Sequence, residues 1–412
     1  MLLKNRNILL CITGSIAVYK ALELVRLYIK SGANVKVLMT EASQKFVTKL
    51  SFEAISQNRV LDESSESWEK NQGYNHIDIG KWADILVIAP CSANTINKLA
   101  NGIADNLLTQ TVLAYKGKKI IAPAANTNMI ENQITVKSLK KLRKFGFALI
   151  SSQVKELACK DVGNGALAEP ETIFYKTARE LLKEDYWQNR SVVLSGGGTV
   201  EKIDDVRYIS NYSSGKMASS LALALYLKGA DVNLVSTRGH ENLQNLNTEI
   251  NTITVQSSYQ MYEDLEILIK KAKKANEKVK KPYLFMVAAV SDYVPQEDFE
   301  GKLKKEMVGQ AWNLKLKQNI DILNSLDKKG LISIGFKAEM DEVVANENAT
   351  KMLQKKNLDA VCLNILKDKN SFGTSDNAIE LIFEKESFSF EGQKDEISFD
   401  IIEKLAQKFA DE

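Results

Sequence analysis

Cysteine is scarce in this 412-residue chain, and histidine scarcer. The four cysteines, Cys11, Cys91, Cys159 and Cys362, stand far apart with no CxxC pair. That argues against a disulfide scaffold and against a cysteine-type zinc site. Two histidines, His76 and His240, exclude a histidine-rich metal site. No apolar run reaches the roughly 18 residues that a membrane-spanning helix needs. The first strand–helix turn lacks GxGxxG, and no GxxxxGK[ST] occurs. With 44% hydrophobic and 26% charged residues, collagen-like, low-complexity and wholly disordered chains are ruled out. The N-terminus, MLLKNRNILLCITGSIAVYK, places an apolar stretch after basic residues as a signal peptide does. Gly14 interrupts it and an amphipathic helix comes next, so it reads as a first strand and the expected location is cytoplasmic. The net charge of +3 is unevenly shared: residues 1–190 hold 26 Lys+Arg against 18 Asp+Glu, the remainder 29 against 34. This offset suggests two domains. Neither is basic enough for nucleic acid, and anionic small molecules suit the basic half better.

The first half alternates strand and helix. NILLCIT (7–13), NVKVLMT (34–40), ADILVIAP (83–90) and KKIIAPAAN (118–126) read as buried strands, and 16–31 has helical spacing with Gly32 as its C-cap. Such alternation predicts a parallel sheet with helices on both faces, whose ligands sit at the carboxyl ends of the strands. Gly14, Ser15, Thr40, residues 91–95 and Asn126 are therefore the first candidates. The polar, aperiodic stretch 62–75 reads as a mobile loop delivering His76. A helix over 171–188 is expected to close the domain, with the boundary near residue 188. The pattern then restarts. SVVLSGGGT (191–199), DVNLVST (231–237), YLFMVAAVSDY (283–293), ISIGF (332–336) and AVCLN (360–364) read as strands, 215–228 and 258–280 as helices, and 380–412 as a strand and a helix.

The turn Gly14-Ser15-Ile16-Ala17 offers backbone N–H groups for a phosphate, and is equally a simple packing turn. APCSANT (89–95) is more specific: Ser92, Asn94 and Thr95 can hydrogen-bond an anion or a heteroaromatic ring, and Ala93 lets a flat ligand approach. Helix capping by Ser92 or Thr95 is the plainer reading.

These blocks, with PAANTNM (123–129) and LACKDVGNGALAEP (157–170), match in order the signatures of the flavin-dependent Cys decarboxylase (HFCD) family. In the second half GGGTVEKIDDVRYISNYSSGKM (196–217), AAVSDY (288–293), KLKK (302–305), NIDIL (319–323) and GFKAE (335–339) match a ligase. Across nearly its whole length the chain resembles the bifunctional enzymes of coenzyme A synthesis, in which phosphopantothenoylcysteine decarboxylase is fused to phosphopantothenate–cysteine ligase. The resemblance implies an α/β chain of two domains: a flavodoxin-like, Rossmann-like flavoprotein over 1–188 and a Rossmann-like ligase over 189–412.

For the first domain the resemblance implies FMN, which lends an otherwise inert carboxylate an electron sink with no net redox change. His76 would serve in acid/base work at the substrate thiol, Asn126 would hold the departing carboxylate, and Cys159 would return a proton. Gly14, Ser15, Ile16, Ala17, Thr40, Ser92, Ala93, Asn94 and Thr95 would hold the flavin. The chain departs from the family at Ala125, commonly Met, and in the clamp, usually ACGDxGxGRM: Lys160 replaces a glycine and Ala166-Leu167 replace Arg-Met.

For the second domain the resemblance implies activation of 4′-phosphopantothenate by CTP, then attack by cysteine. Gly196-Gly197-Gly198-Thr199 would admit a phosphate closely. Asn211 matches the residue that supports the acyl-cytidylate, Arg207 one tied to the cysteine step, and Lys302 the lysine that neutralises triphosphate charge. Ala288, Ala289, Val290, Asp292, Asn319, Ile320, Asp321, Ile322 and Phe336 would frame the nucleotide, and Asp292 would meet Mg²⁺. Lys356 matches a triphosphate lysine. The family's partner lysine, one helical turn earlier, falls on Met352, with Lys351 adjacent. A trimer-based homo-oligomer, a dodecamer, is implied. Two other readings stay open: a flavin-binding regulatory protein without the chemistry, and a flavin-dependent prenyltransferase-like protein, which the ligase motifs disfavour.

Overall fold

The computed structural model describes residues 1–68, 75–156, 162–276, 280–366 and 374–410. They form two compact units, Met1–Leu182 and Lys183–Glu412.

In the first unit, strands β1 (Asn7–Ile12), β2 (Asn34–Met39), β3 (Ile85–Cys91), β4 (Lys118–Pro123) and β5 (Phe147–Leu149) form one parallel sheet in the order β2-β1-β3-β4-β5. β3 is buried at every position, as its unbroken apolar run demands of a strand covered on both faces. Helix Val18–Lys30 buries Val18, Ala21, Leu24, Val25 and Tyr28 along one stripe. Gly32 comes after it at φ +91°, where a β-carbon would also crowd Met1 and Lys4. Below the sheet, Leu9, Leu86, Ile88 and Ile121 pack with Ile96, Leu108 and Val112.

The chain leaves β1 toward β2 on one side and reaches β3 on the other, so a crevice opens at their carboxyl ends. The stretch read as a mobile loop begins with a tight turn, Glu63–Ser65, boxed by Asp62, and after it comes a helix, His76–Trp82. Seven residues interrupted by Gly80 are too few to display a period. A further hairpin, β6 (Gln153–Glu156) against β7 (Val162–Ala166), has no apolar alternation to announce it.

In the second unit, β8 (Ser191–Gly196) starts an eight-stranded sheet. It is preceded by a segment in which Arg190 stacks 4.0 Å from the Tyr186 ring centroid and Tyr186 Oη meets Tyr283 Oη at 2.6 Å. The helix expected over 171–188 therefore stops at Leu182, and residues 183–190 belong to the second unit. After the small pair β9 (Val200–Lys202) and β10 (Tyr208–Ser210) come β11 (Asp231–Ser236), β12 (Asn251–Thr254) and β13 (Tyr283–Met286). A second pair, β14 (Tyr293–Pro295) and β15 (Leu316–Gln318), precedes β16 (Ile332–Glu339), β17 (Ala360–Ile365), β18 (Asp376–Ile382) and β19 (Ser387–Gln393). The sheet order is β12-β11-β8-β13-β16-β17-β18-β19, parallel as far as β17 and antiparallel beyond. The strand expected over 283–293 ends at Met286, because Ser195 Oγ takes the amides of Val287 and Ala288 at 3.0 and 3.1 Å. The tail carries two strands and helix Lys394–Lys408, one strand more than expected.

Candidate functional site

At the β1/β3 switch point lies a cleft of about 1310 Å³. Strand ends distant in sequence converge on it: Gly14, Ser15, Ile16 and Ala17 after β1, Thr40 after β2, Ser92, Ala93, Asn94 and Thr95 after β3, Asn126 after β4. Thr13 sets the spacing of β1 and β3. Buried at the end of β1, its hydroxyl donates to the Pro90 carbonyl at 2.9 Å and accepts the Ser92 amide at 2.8 Å. Sequence reading missed it, since it looks like any strand-terminal threonine.

Ser92 caps helix Ala93–Ala100, accepting the Thr95 amide at 3.3 Å with its hydroxyl 3.1 Å from Thr95 Oγ1. The capping reading holds, and the capped helix start faces the cleft. Asn126 likewise caps Thr127–Glu131 through Oδ1, which accepts the Asn128 amide at 2.9 Å.

The β6–β7 hairpin roofs the cleft with Lys155, Glu156, Gly165, Ala166 and Leu167. Glu169, beyond it, pairs with both Lys20 and Lys155. Burial alone would raise the Glu169 carboxyl, yet these two lysines hold it below its ordinary value. Cys159 and Lys160 lie outside the described residues. His76 does not line this cleft. It opens helix His76–Trp82, its Nδ1 lying 3.1 Å from Glu66 Oε1 and its ring edge-on to Trp68 at 5.5 Å.

In the second unit the corresponding switch point lies between β8 and β13. The loop after β13 is pinned residue by residue. Ala289 exchanges backbone bonds with Gly197 and Thr199, the Thr199 hydroxyl accepts the Ser291 amide at 3.1 Å, and Asn211 Nδ2 donates to the Val290 carbonyl at 3.0 Å. Asn319 closes the far side, donating to the carbonyls of Ser291 (2.7 Å, from Nδ2) and Asp292 (2.8 Å, from its amide). The glycine turn is packed by protein: β-carbons at Gly197 and Gly198 would meet Thr237 Oγ1 at 2.2 Å and the Asn211 carbonyl at 2.5 Å. Ala288, Ala289 and Phe336 share a pocket of about 180 Å³ with Gly215 and Asn364, whose Oδ1 is buried without a hydrogen-bond partner among the described residues. Ile320 and Ile322 flank the Asp321 side chain, which caps the next helical turn and pairs with Lys356 at 3.1 Å.

Arg207 and the Lys302 segment are joined by a residue that sequence reading passed over. Asp204, buried, accepts the amides of Val206 (2.8 Å), Arg207 (2.7 Å) and Leu303 (3.1 Å), and its Oδ2 lies 3.5 Å from the Arg207 guanidinium. Burial would raise its pKa, but the three amides and Arg207 hold it low. Arg207 also donates to the Leu303 carbonyl at 3.3 Å. Lys302 itself is exposed. Among the described residues no group of three acidic, histidine or cysteine side chains is arranged for a metal ion, and Asp292 is exposed. Among the same residues no helix is long and apolar enough to cross a membrane.

Comparison with known proteins agrees with this layout. The Flavoprotein family matches residues 2–182, and the DNA/pantothenate metabolism flavoprotein C-terminal domain matches residues 187–409. The coenzyme A biosynthesis bifunctional protein CoaBC of Bacillus subtilis is 38% identical over 420 residues, covering 98% of each chain. Its counterpart in Haemophilus influenzae is 35% identical over 417 residues, covering 99% of each. That of Borreliella burgdorferi is 33% identical over 408 residues, covering 98% of this chain and 99% of its own. With matches of this depth over both units, the chain belongs to the family of coenzyme A biosynthesis bifunctional proteins, a flavoprotein domain followed by a DNA/pantothenate metabolism flavoprotein C-terminal domain.

Proposed function

We propose that the second unit joins cysteine to 4′-phosphopantothenate at the expense of CTP, and that the first decarboxylates the product to 4′-phosphopantetheine with FMN. In the ligase step the substrate carboxylate attacks the α-phosphorus of CTP and pyrophosphate leaves. The cysteine amine then attacks the acyl carbon, CMP leaves, and the amine loses its proton. Asn211 and the pinned loop 288–292 would orient the reacting groups, while Lys302 and Lys356 would offset triphosphate charge. Asp292 by itself is a poor metal site, so Mg²⁺ would arrive on the triphosphate and use this carboxylate as one ligand of several.

The cleft of the first unit fits a flavin. It is wide, floored by small residues at 14, 17, 93 and 125, and edged by the hydroxyls of Ser15, Ser92 and Thr95. FMN, when bound, supplies the reversible two-electron chemistry that makes the carboxylate able to leave. Asn126 would hold that carboxylate, and His76 would move the thiol proton. The family resemblance further implies a flavin site shared between subunits of the trimer, which would account for His76 standing outside the cleft of its own chain. A second copy would bring it in, within a trimer-based cytoplasmic assembly of dodecamer size.

The observation carrying this reading is the convergence of four strand ends on one cleft beside the Asn126 cap. Purified protein given 4′-phosphopantothenate, CTP, Mg²⁺ and cysteine should yield pyrophosphate, CMP, carbon dioxide and 4′-phosphopantetheine by mass. Accumulation of the cysteine adduct with FMN bound would overturn the decarboxylase half, and absence of the adduct the ligase half.

A further inference from the structure

No acidic side chain lines the small pocket beside Phe336, although acids outnumber bases in this half of the chain. Its charged residues are three lysines, Lys216, Lys337 and Lys394. Lys337 is paired to Glu339 at 3.2 Å. Lys394 donates to carbonyl oxygens instead, those of Thr374 and, at 3.2 Å, Asp376. These hold the ammonium without cancelling its charge. Burial lowers the Lys394 pKa and Lys216 lowers it further, against the pull of Asp376.

Lys216 and Lys394 each occupy the first position of a helix, Lys216–Lys228 and Lys394–Lys408. A cation there opposes the helix dipole, which favours acids at that end. Helix stability therefore does not account for two such lysines at one pocket. The start of helix Lys216–Lys228 is also left open. Ser214 Oγ reaches only the Lys216 amide, at 3.4 Å, and the amides of Met217 and Ala218, both pocket residues, have no partner among the described residues.

Asn377 points to a ligand independently. It is 6% exposed, on strand β18, and its carboxamide has no hydrogen-bond partner among the described residues. Asn377 and Ile379 line the pocket while Ala378 between them does not, so the strand's two-residue period turns the Asn377 side chain into that space. A buried amide left unpaired is costly unless a ligand completes it. Ammonium groups, helix amides and a carboxamide share the ability to donate, and phosphoryl oxygens complement all three. At about 180 Å³ the pocket is well below the roughly 300–1,000 Å³ of sites that enclose a whole ligand, so it suits one charged end of a molecule.

We propose that Lys394 and Asn377 bind phosphoryl oxygens at the start of helix Lys216–Lys228, making this pocket a phosphate seat of the second unit. The assignment rests on the ligase reading above. Two groups in that reaction carry the same chemistry: the terminal phosphates of CTP, which leave as pyrophosphate, and the 4′-phosphate of the acid.

Calorimetric titration of the full chain with CTP, CMP and 4′-phosphopantothenate tests it. Lys394→Met removes a cation, and Asn377→Asp keeps the shape but sets a negative charge in the seat. Each should weaken one phosphate ligand about tenfold or more, the loss of a charge-assisted contact. If the seat takes the triphosphate end, CTP weakens while CMP and 4′-phosphopantothenate stay within about twofold. If it takes the phosphate of the acid, 4′-phosphopantothenate weakens while CTP and CMP stay within about twofold. Lys394→Arg should bind nearly as the parent does in both cases. Parent-like affinity of both variants for all three ligands would overturn the assignment. Equal losses for all three, without rescue by arginine, would overturn it too, reducing Lys394 and Asn377 to a structural role. A parent protein that binds neither CTP nor 4′-phosphopantothenate would overturn the ligase reading itself.

Discussion

A β-carbon on Gly165 would lie 2.1 Å from the Ala125 carbonyl oxygen, and the Ala125 amide donates to the Gly165 carbonyl at 3.1 Å. The hairpin that roofs the first cleft is therefore zipped to the segment that presents Asn126. Gly165 also sits at φ +148°, a conformation that side chains resist. Gly165→Ala is expected to lift the hairpin and slow decarboxylation by about tenfold or more. Carbon dioxide release should fall while CMP formation is unchanged.

Thr13 bridges the two strands, β1 and β3, at whose carboxyl ends the first cleft opens. Thr13→Val keeps the shape but strips the Ser92 amide of its acceptor, while the Pro90 carbonyl keeps only the Thr13 backbone amide at 3.2 Å. It should cost about 1–3 kcal/mol of stability. Chemical denaturation measures that loss, and visible absorbance of the purified protein should show reduced FMN occupancy.

If His76 acts on the cleft of a neighbouring copy, two dead variants should repair each other. His76→Gln and Asn126→Ala are each expected to abolish decarboxylation. Mixing them after mild dissociation should restore part of it, because some assembled clefts then receive one intact residue from each parent. No recovery in verified mixed oligomers would place His76 and Asn126 of one chain at the same cleft.

Asp204 ties Arg207 to the segment carrying Lys302. Asp204→Asn keeps the size and removes the charge that the amides and Arg207 share. Ligation should slow about tenfold through misplacement of both cations. Decarboxylation of supplied 4′-phosphopantothenoylcysteine should not change, which separates this effect from general unfolding.

Asp62 supplies an acid-side signature. Burial on its own raises its carboxyl, but Lys49, Ser64 and Gln44 outweigh that and set it at about 2, against an ordinary 3.8. A depressed carboxylate adds stability above its unfolded pKa and loses it as pH falls toward the folded one. The melting temperature of the parent should therefore drop more steeply than that of Asp62→Asn between pH 3.8 and about 2. Parallel curves would deny Asp62 this role.

Strands with unbroken apolar runs, such as β1, β3 and β8, were legible in the sequence because burial on both faces leaves no other pattern. The first-cleft residues were legible for the same reason, since they come directly after those strands. The hairpin β6–β7 and helix His76–Trp82 were not, being short, polar and glycine-bearing. Thr13 and Asp204 were hidden for another reason. Each acts through a partner far along the chain, and nothing local distinguishes a threonine that joins two strands from one that ends a single strand. The placement of His76 was likewise out of reach, because spacing along a chain says nothing about which cleft a residue enters.

Helix Lys394–Lys408 packs on helix Lys216–Lys228, where Asp395 meets Ser220 at 2.6 Å, and Lys394 lines the pocket beside Phe336. The walls of the two pockets are therefore completed at different moments of synthesis. Among the described residues, those lining the first unit's cleft run from Gly14 to Leu167, so its walls can form while the ribosome is still translating the rest. The pocket beside Phe336 must wait for a helix encoded near the far end of the message. A transcript cut short of that helix would yield a decarboxylase with no partner activity to feed it.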